Sequence, residues 1–290
     1  MGINNKILKK LDEWQQSEDS LPEGIEFYKR LLVAQNDTEE KYLVPEPTLS
    51  QSDIEGRLKQ GIKLLVWEDL SLDWVALQNL FNAIATITVE YYADVEGDLK
   101  PLMDFASDLS TLQEATKIWY HNQPLSQLAD AHSVSEGLLS ALIHSAVKPF
   151  LTTRSEALIK LMDQQWWRRR YCPVCAGKPD FAFLSGKHGS DFLGKERRYR
   201  WLLCSRCDAQ WLFQRQQCPY CGNQDQDALS YFTDDAGLYR LYVCQRCLGY
   251  LKTIDLSQTK EEILLPLERL LTIDMDRQGQ EKGYKSLPFI

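Results

Sequence analysis

Residues 77–91 place Leu77, Leu80, Phe81, Ile84, Ile87, Thr88 and Tyr91 at spacings of three and four, the pattern of a helix with one face in a core. Farther on, Ser133-Val134-Ser135-Glu136 fits a capping box, with Ser133 taking the N3 amide and Glu136 reaching back. Leu138, Leu139, Leu142, Ile143 and Ala146 then continue at helical spacing, and Lys148-Pro149 is expected to stop or bend that helix. A further helix is expected after Ser155, through Leu158, Leu161 and Met162 to Trp166. Breaks at 44–50 ("VPEPTLS") and 95–101 ("VEGDLKP") separate others, so the first half predicts an α-helical domain of roughly six to eight helices.

Past residue 170 the texture changes. "PDFAFLS", "RYRWLLC", "AQWLFQR", "ALSYFT", "LYRLYVC" and "GYLKTID" are short, aromatic and β-branched, and are separated by turn residues. These are strand signals. Lys260 to Arg277 returns to a helical pattern, with Pro266 as a candidate kink.

Eight cysteines, all beyond residue 170, change the picture most. Every one belongs to a C-x-x-C pair: Cys172/Cys175, Cys204/Cys207, Cys218/Cys221 and Cys244/Cys247. A C-x-x-C turn points two sulfurs inward and its backbone amides donate to them, so two such turns complete a tetrahedral four-cysteine site. In sequence order the first site joins the first two pairs across 28 residues, and the second joins the last two across 22. Each begins with Cys-Pro-x-Cys, which favours this reading over a pairing of Cys204/Cys207 with Cys218/Cys221 across ten residues. Glycines after the second cysteine, Gly222 at once and Gly177 one residue late, suit a turn that needs positive φ.

A redox dithiol would sit at a helix start in a βαβ unit, which this pattern lacks. Four thiolates per ion leave no open position for a reacting water, so the expected role is structural, worth roughly 10–16 kcal/mol of folding free energy per zinc. Both zinc and iron accept the ligand set. The expected architecture is an N-terminal all-α domain, two tandem rubredoxin-like or zinc-ribbon modules and a C-terminal helix. Its expected segments are 1–165, 166–209, 210–255 and 256–290.

Charge refines this. The 290 residues carry a formal −8, which argues against a nucleic-acid protein as a whole. Residues 1–165 carry a net −12, residues 166–252 +6 and the tail −2. The basic stretches 166–172 ("WWRRRYC") and 195–201 ("KERRYRW") interleave aromatics, a pattern nucleic-acid-binding zinc ribbons also show. That alternative is weakened because each M²⁺(Cys⁻)₄ centre adds about −2 and absorbs much of the basic charge. Residues 125–143 resemble a helix-turn-helix in spacing, but the second helix offers leucines where a reader needs basic side chains. His188 reads as a loop residue and His121, His132 and His144 as ordinary helical-domain residues, not ligands. No phosphate loop or catalytic constellation stands out, so no enzyme is expected. The N-terminus lacks the apolar core of a signal peptide and no run approaches about 18 apolar residues, from which a cytoplasmic protein is expected.

Residues 200–221 fill the pattern R-[YW]-L-x-C-x-x-C-x-x-x-W-x-x-x-R-x-x-C-x-x-C with Arg200, Trp201, Leu202, Cys204, Cys207, Trp211, Arg215, Cys218 and Cys221. This resembles the formate dehydrogenase accessory proteins of the FdhE family. The resemblance extends to "RRYCPVCAGKP", "CQRCLGYLK" and "DMDRQGQEKGYKSLPF", about 168–290, whereas 1–167 agree only as a helical domain of suitable length. Two positions depart from it: Ala176 and Leu248 stand where the family often has glycine after the cysteine. The resemblance implies a non-enzymatic cytoplasmic factor needed to assemble active respiratory formate dehydrogenase. It also implies rubredoxin-like metal sites, iron being the ion usually named, and a partner that is the molybdenum- or tungsten-cofactor catalytic subunit. On this reading Arg200, Trp201, Trp211 and Arg215 either brace the cysteine turns or line the partner surface.

Overall fold

The structure, a computed structural model, describes residues 2–17, 20–41, 49–185 and 199–286. His188, residues 195–198 of the second basic stretch and most of the break at 44–50 lie outside them. Contacts divide the chain into two compact units, Met1–Glu46 with Val66–Arg154, and Pro47–Leu65 with Ser155–Ile290.

The helices before the cysteines are α1 (Ile3–Ser17), α2 (Glu23–Lys41), α3 (Gln51–Gln60), α4 (Trp74–Tyr91), α5 (Leu99–Ser107), α6 (Leu109–Tyr120), α7 (Ser126–Ala131) and α8 (Glu136–Leu161). The apolar stripe read from sequence is the buried face of α4: Leu77, Leu80, Phe81 and Ile84 are all buried. Helix α4 packs on α2 and α5, and α1 packs on α2. Among the described residues no helix is long and apolar enough to cross a membrane.

Two helical expectations need correction. Helix α8 continues through Pro149 to Leu161, so the stop allowed for there does not occur and no separate helix begins after Ser155. Proline at 149 has no N–H for the carbonyl of residue 145, and the buried side chain of Gln35 supplies the donor instead, Nε2 to Ser145 O at 2.8 Å. The capping box at Ser133 does not form. Ser133 lies at φ +55° in the preceding turn, Glu136 accepts from the Leu125 amide at 2.7 Å, and Ser135 Oγ stands nearest the first helical amides, 3.5 Å from Leu138 N.

The second unit is built on β1 (Pro179–Leu184), β2 (Arg200–Cys204), β3 (Gln210–Phe213), β4 (Leu229–Thr233), β5 (Tyr239–Cys244) and β6 (Tyr250–Asp255). They form one mixed sheet in the order β3-β2-β1-β6-β5-β4. Each half is an antiparallel meander, and the halves join where β1 and β6 run parallel, Phe181 opposite Lys252 to Leu184 opposite Asp255. Strand β6 is buried along its whole length, as its central place requires. Phe181, Phe183, Leu203, Ile254 and Leu265 form its core, with Trp201 packed against them.

The single C-terminal helix expected over 260–277 is two, α9 (Leu265–Leu271) and α10 (Ile273–Glu281). Pro266 sits in the first turn of α9, where its missing N–H costs nothing. Both helices are tied to the sheet. Tyr239 OH donates to Glu268 at 2.7 Å, and Lys252 Nζ donates to Arg269 O at 2.8 Å and to Asp276 at 2.6 Å.

Candidate metal centres

The four C-x-x-C turns close in the same way. The amide of its first cysteine donates to the carbonyl five residues on: Cys172 to Gly177 at 2.8 Å, Cys204 to Ala209 at 2.9 Å, Cys218 to Asn223 at 2.8 Å and Cys244 to Gly249 at 3.0 Å. The residue after the second cysteine is left-handed in all four turns: Ala176 at φ +59°, Asp208 at +55°, Gly222 at +79° and Leu248 at +56°. One of the two glycines read as serving this conformation therefore does something else. Gly177 is not the left-handed residue; a Cβ there would stand 2.8 Å from Cys204 Sγ, so glycine lets the facing sulfur approach.

The turns converge in pairs. Cys172, Cys175, Cys204 and Cys207 form one group, and Cys218, Cys221, Cys244 and Cys247 the other, with all sulfurs of a group within 4.8 Å of one another. Within the first group Cys172 Sγ lies 3.6 Å from Cys207 Sγ and Cys175 Sγ 3.5 Å from Cys204 Sγ. The corresponding distances in the second are 3.7 Å for Cys218–Cys247 and 3.7 Å for Cys221–Cys244. Metal–sulfur bonds of about 2.3 Å at tetrahedral angles put sulfurs about 3.8 Å apart. The geometry fits one tetrahedral ion per group, zinc or iron. Amides of Val174, Gly177 and Arg206 donate to Cys172, Cys175 and Cys204 at 3.3–3.4 Å, bonds that favour thiolate.

The two groups differ in surroundings. All four cysteines of the first are buried, whereas Cys221 and Cys247 of the second are part-exposed. Burial pushes the Cys172 and Cys207 thiols well up, and it also raises Cys218 and Cys247, the latter to about 11. Four neighbouring thiols cannot all ionise without a cation among them, so ion binding releases protons.

Sequence-distant residues hold the first group. The amides of Leu64 and Leu65 donate to Pro173 O and Val174 O at 2.8 and 2.9 Å, an extra strand-like grip on the turn from just beyond α3. Arg269 of α9 reaches the opposite turn: its Nε pairs with Asp180 at 2.8 Å, its Nη1 with Asp208, and its Nη2 donates to Cys204 O at 2.6 Å. Burial alone lowers the Arg269 pKa, but Asp180 and Asp208 together carry it above the usual arginine value. Neither contact was read from sequence. The only hint was Asp208 itself, an acid placed directly after a ligand cysteine.

The four residues picked out with the cysteines fall in different places. Trp211 is fully buried and donates Nε1–H to Arg169 O at 2.9 Å. Arg200 is 2 % exposed, with its guanidinium 4.2 Å above the Tyr242 ring. Trp201 is half-buried, stacked on Phe183 at 5.9 Å and 3°. Arg215 is exposed. The basic stretch 166–172 is partly consumed inside the unit: Arg170 Nη1 donates to Tyr220 O in the second group's first turn, and Tyr220 OH returns a bond to Pro179 O at 3.2 Å. His121 stays in the helical unit, its Nδ1 2.8 Å from Lys117 O. His132 and His144 ring-pack on Phe105 and Trp119.

No family model matches the chain. It is 32 % identical over 155 residues to the FdhE homologue of Aquifex aeolicus (strain VF5), a match covering 53 % of this chain and 51 % of that protein. To the FdhE homologue of Shewanella baltica (strain OS223) it is 27 % identical over 149 residues, 50 % of this chain and 46 % of the other. The match thus spans about half the length of these curated relatives. The crystal structure of the FdhE protein from Pseudomonas aeruginosa superposes with a TM-score of 0.57 over 90 % of this chain and 85 % of that one, at 16 % identity, a likeness of fold. With two four-cysteine groups on the mixed sheet and helices ahead of them in sequence, the chain is similar in sequence to these FdhE homologues over about half its length, and similar in fold to the FdhE crystal structure.

Proposed function

We propose that the chain is an accessory factor in the maturation of formate dehydrogenase, acting in the cytoplasm on the catalytic subunit and carrying no catalytic centre of its own. The observation that carries this reading is the pair of closed S4 groups. Each group uses all four tetrahedral positions for protein sulfur, which suits an ion that organises a surface and leaves no site for an activated water. All eight cysteines serve as ligands in this reading, of zinc or iron. Trp211 and Arg200 act as braces inside the metal-bearing unit, while Trp201 and Arg215 are available to the partner, since tryptophan and arginine are common interface anchors.

The test is to isolate the tagged protein anaerobically from its own cells and identify what accompanies it by mass spectrometry. The expected companion is a formate dehydrogenase catalytic subunit, lost when Cys204 and Cys207 are both changed to serine. Salt-released RNA or DNA in its place would overturn the proposal in favour of a nucleic-acid-binding zinc-ribbon protein.

A further inference from the structure

A cavity of about 190 Å³ opens beside the second cysteine group, with Cys218 and Cys244 in one wall. Among the described lining residues the ionisable groups, apart from those cysteines and tyrosines, are two guanidinium groups, Arg200 and Arg215, with no carboxylate. Leu229, Val243 and Leu251 supply an apolar side.

Arg200 is the unusual member. Its Nη1 is spent on Gln217 O at 3.4 Å, and one face lies on Tyr242. Its Nε and Nη2 are sealed from solvent and, among the described residues, have no hydrogen-bond partner of good geometry, the Tyr242 side chain being the group that lies against the guanidinium. Those two atoms form a single edge of the guanidinium, the edge that receives a carboxylate through two parallel bonds. Leaving such donors buried and unpaired is costly. Arg215, by contrast, is exposed and free to swing at the rim with Gln216 and Gln217.

We propose that this cavity binds an organic carboxylate, its two oxygens on the Nε/Nη2 edge of Arg200, its charge capped by Arg215 and its carbon chain against the leucine and valine wall. Rim side chains move aside to admit it. A cavity of about 150 Å³ holds a benzene ring, so this one takes an acidic side chain or a small free acid. The apolar wall is what favours an organic acid over inorganic phosphate. A loaded thiolate centre adds about −2 nearby, but Arg170, whose guanidinium lies 3.5–3.7 Å from a Cβ built at Gly222, and Arg246, between Cys244 and Cys247, flank the same centre. The inference stands apart from the dehydrogenase reading, because it is tested with no dehydrogenase present.

The experiment is calorimetric titration of the metal-loaded full chain with butyrate, N-acetylglutamate N-methylamide, butyramide and inorganic phosphate. Saturable binding of the carboxylates and none of butyramide is expected. Arg215→Ala, at an exposed position, should weaken it several-fold with metal content unchanged, and Arg200→Lys, which keeps charge but loses the fork, at least ten-fold. Tighter binding of the capped glutamate assigns the site to a polypeptide side chain; equal or tighter binding of butyrate assigns it to a free small acid. No saturable carboxylate binding, phosphate binding as tightly as the carboxylates, or binding indifferent to Arg215→Ala would each overturn the proposal.

Discussion

Leu248 and Gly222 occupy matching places in the two facing turns of the second cysteine group, each directly after a cysteine and each left-handed, at φ +56° and +79°. The backbone demand is the same; only one of the two residues meets it without strain. Glycine carries no Cβ penalty there, whereas an L residue gives up about 1–2 kcal/mol. Leu248 is 41 % exposed, so little packing is lost with its side chain. Leu248→Gly is therefore expected to raise stability by about 0.5–1 kcal/mol. Ala176→Gly should do the same for the first group, and Gly222→Ala the reverse. Urea titration of metal release at fixed free metal checks all three.

The unequal burial of the two groups predicts unequal metal lability. The chain should hold two ions, each with a tetrahedral thiolate spectrum when cobalt is substituted. A chelator should remove the ion of the second group first, through part-exposed Cys221 and Cys247. Alkylation mass spectrometry would then label the four cysteines of the second group before the four of the first; simultaneous labelling would contradict the prediction. Because burial raises Cys172 and Cys207 in the free protein, uptake releases protons and retention of both ions falls as pH falls. Proton release on titration with metal, followed in weak buffer, measures this directly.

Trp211 and Trp201 are ten residues apart and should behave differently. Trp211→Ala empties a fully buried site and strands the Arg169 carbonyl, which is expected to cost about 3–5 kcal/mol and to lower metal content. Trp201→Ala loses one stacked face on Phe183, about 0.5–1.5 kcal/mol beyond area, and should leave two ions bound. Metal analysis of the two purified variants separates them.

How much of this was legible in the sequence depended on how local the cause was. The six strands among the described residues lie where aromatic and β-branched runs placed them, and the cysteine groups follow from spacing, because a C-x-x-C turn is set by its own few residues. The misreadings mostly involve a distant partner. Pro149 reads as a helix stop or bend, and the helix continues past it with Gln35, far upstream, satisfying Ser145 O. Residues 62–65 read as part of a helical half, yet Leu64 and Leu65 bond to the first cysteine turn. Arg269 is an ordinary arginine in a helical pattern until its two acids are brought to it by the fold. Ser133 failed for a different reason: a capping box needs extended backbone at the cap, and that residue is left-handed.

Arg269 gives the last prediction. It stands on α9, after both cysteine groups in the chain, yet its three nitrogens bind Asp180 of β1, Asp208 of the second turn and the carbonyl of Cys204. Its side chain and both acids are only 11–17 % exposed. Removing the cation takes away the positive charge that two shielded carboxylates share, beside a centre that is itself anionic when loaded. Arg269→Met is therefore expected to cost about 3 kcal/mol or more, and to weaken the first ion while sparing the second. Lysine at this position keeps the charge but cannot span three acceptors, so Arg269→Lys should recover only part of the loss. The triple variant Arg269→Met with Asp180→Asn and Asp208→Asn removes both carboxylate charges as well, and should be more stable than Arg269→Met alone. If all three variants retain wild-type metal affinity at the first group, the helix is held there by its other contacts with the sheet, those of Leu265, Tyr239 and Lys252 among them, and Arg269 plays no part in the centre.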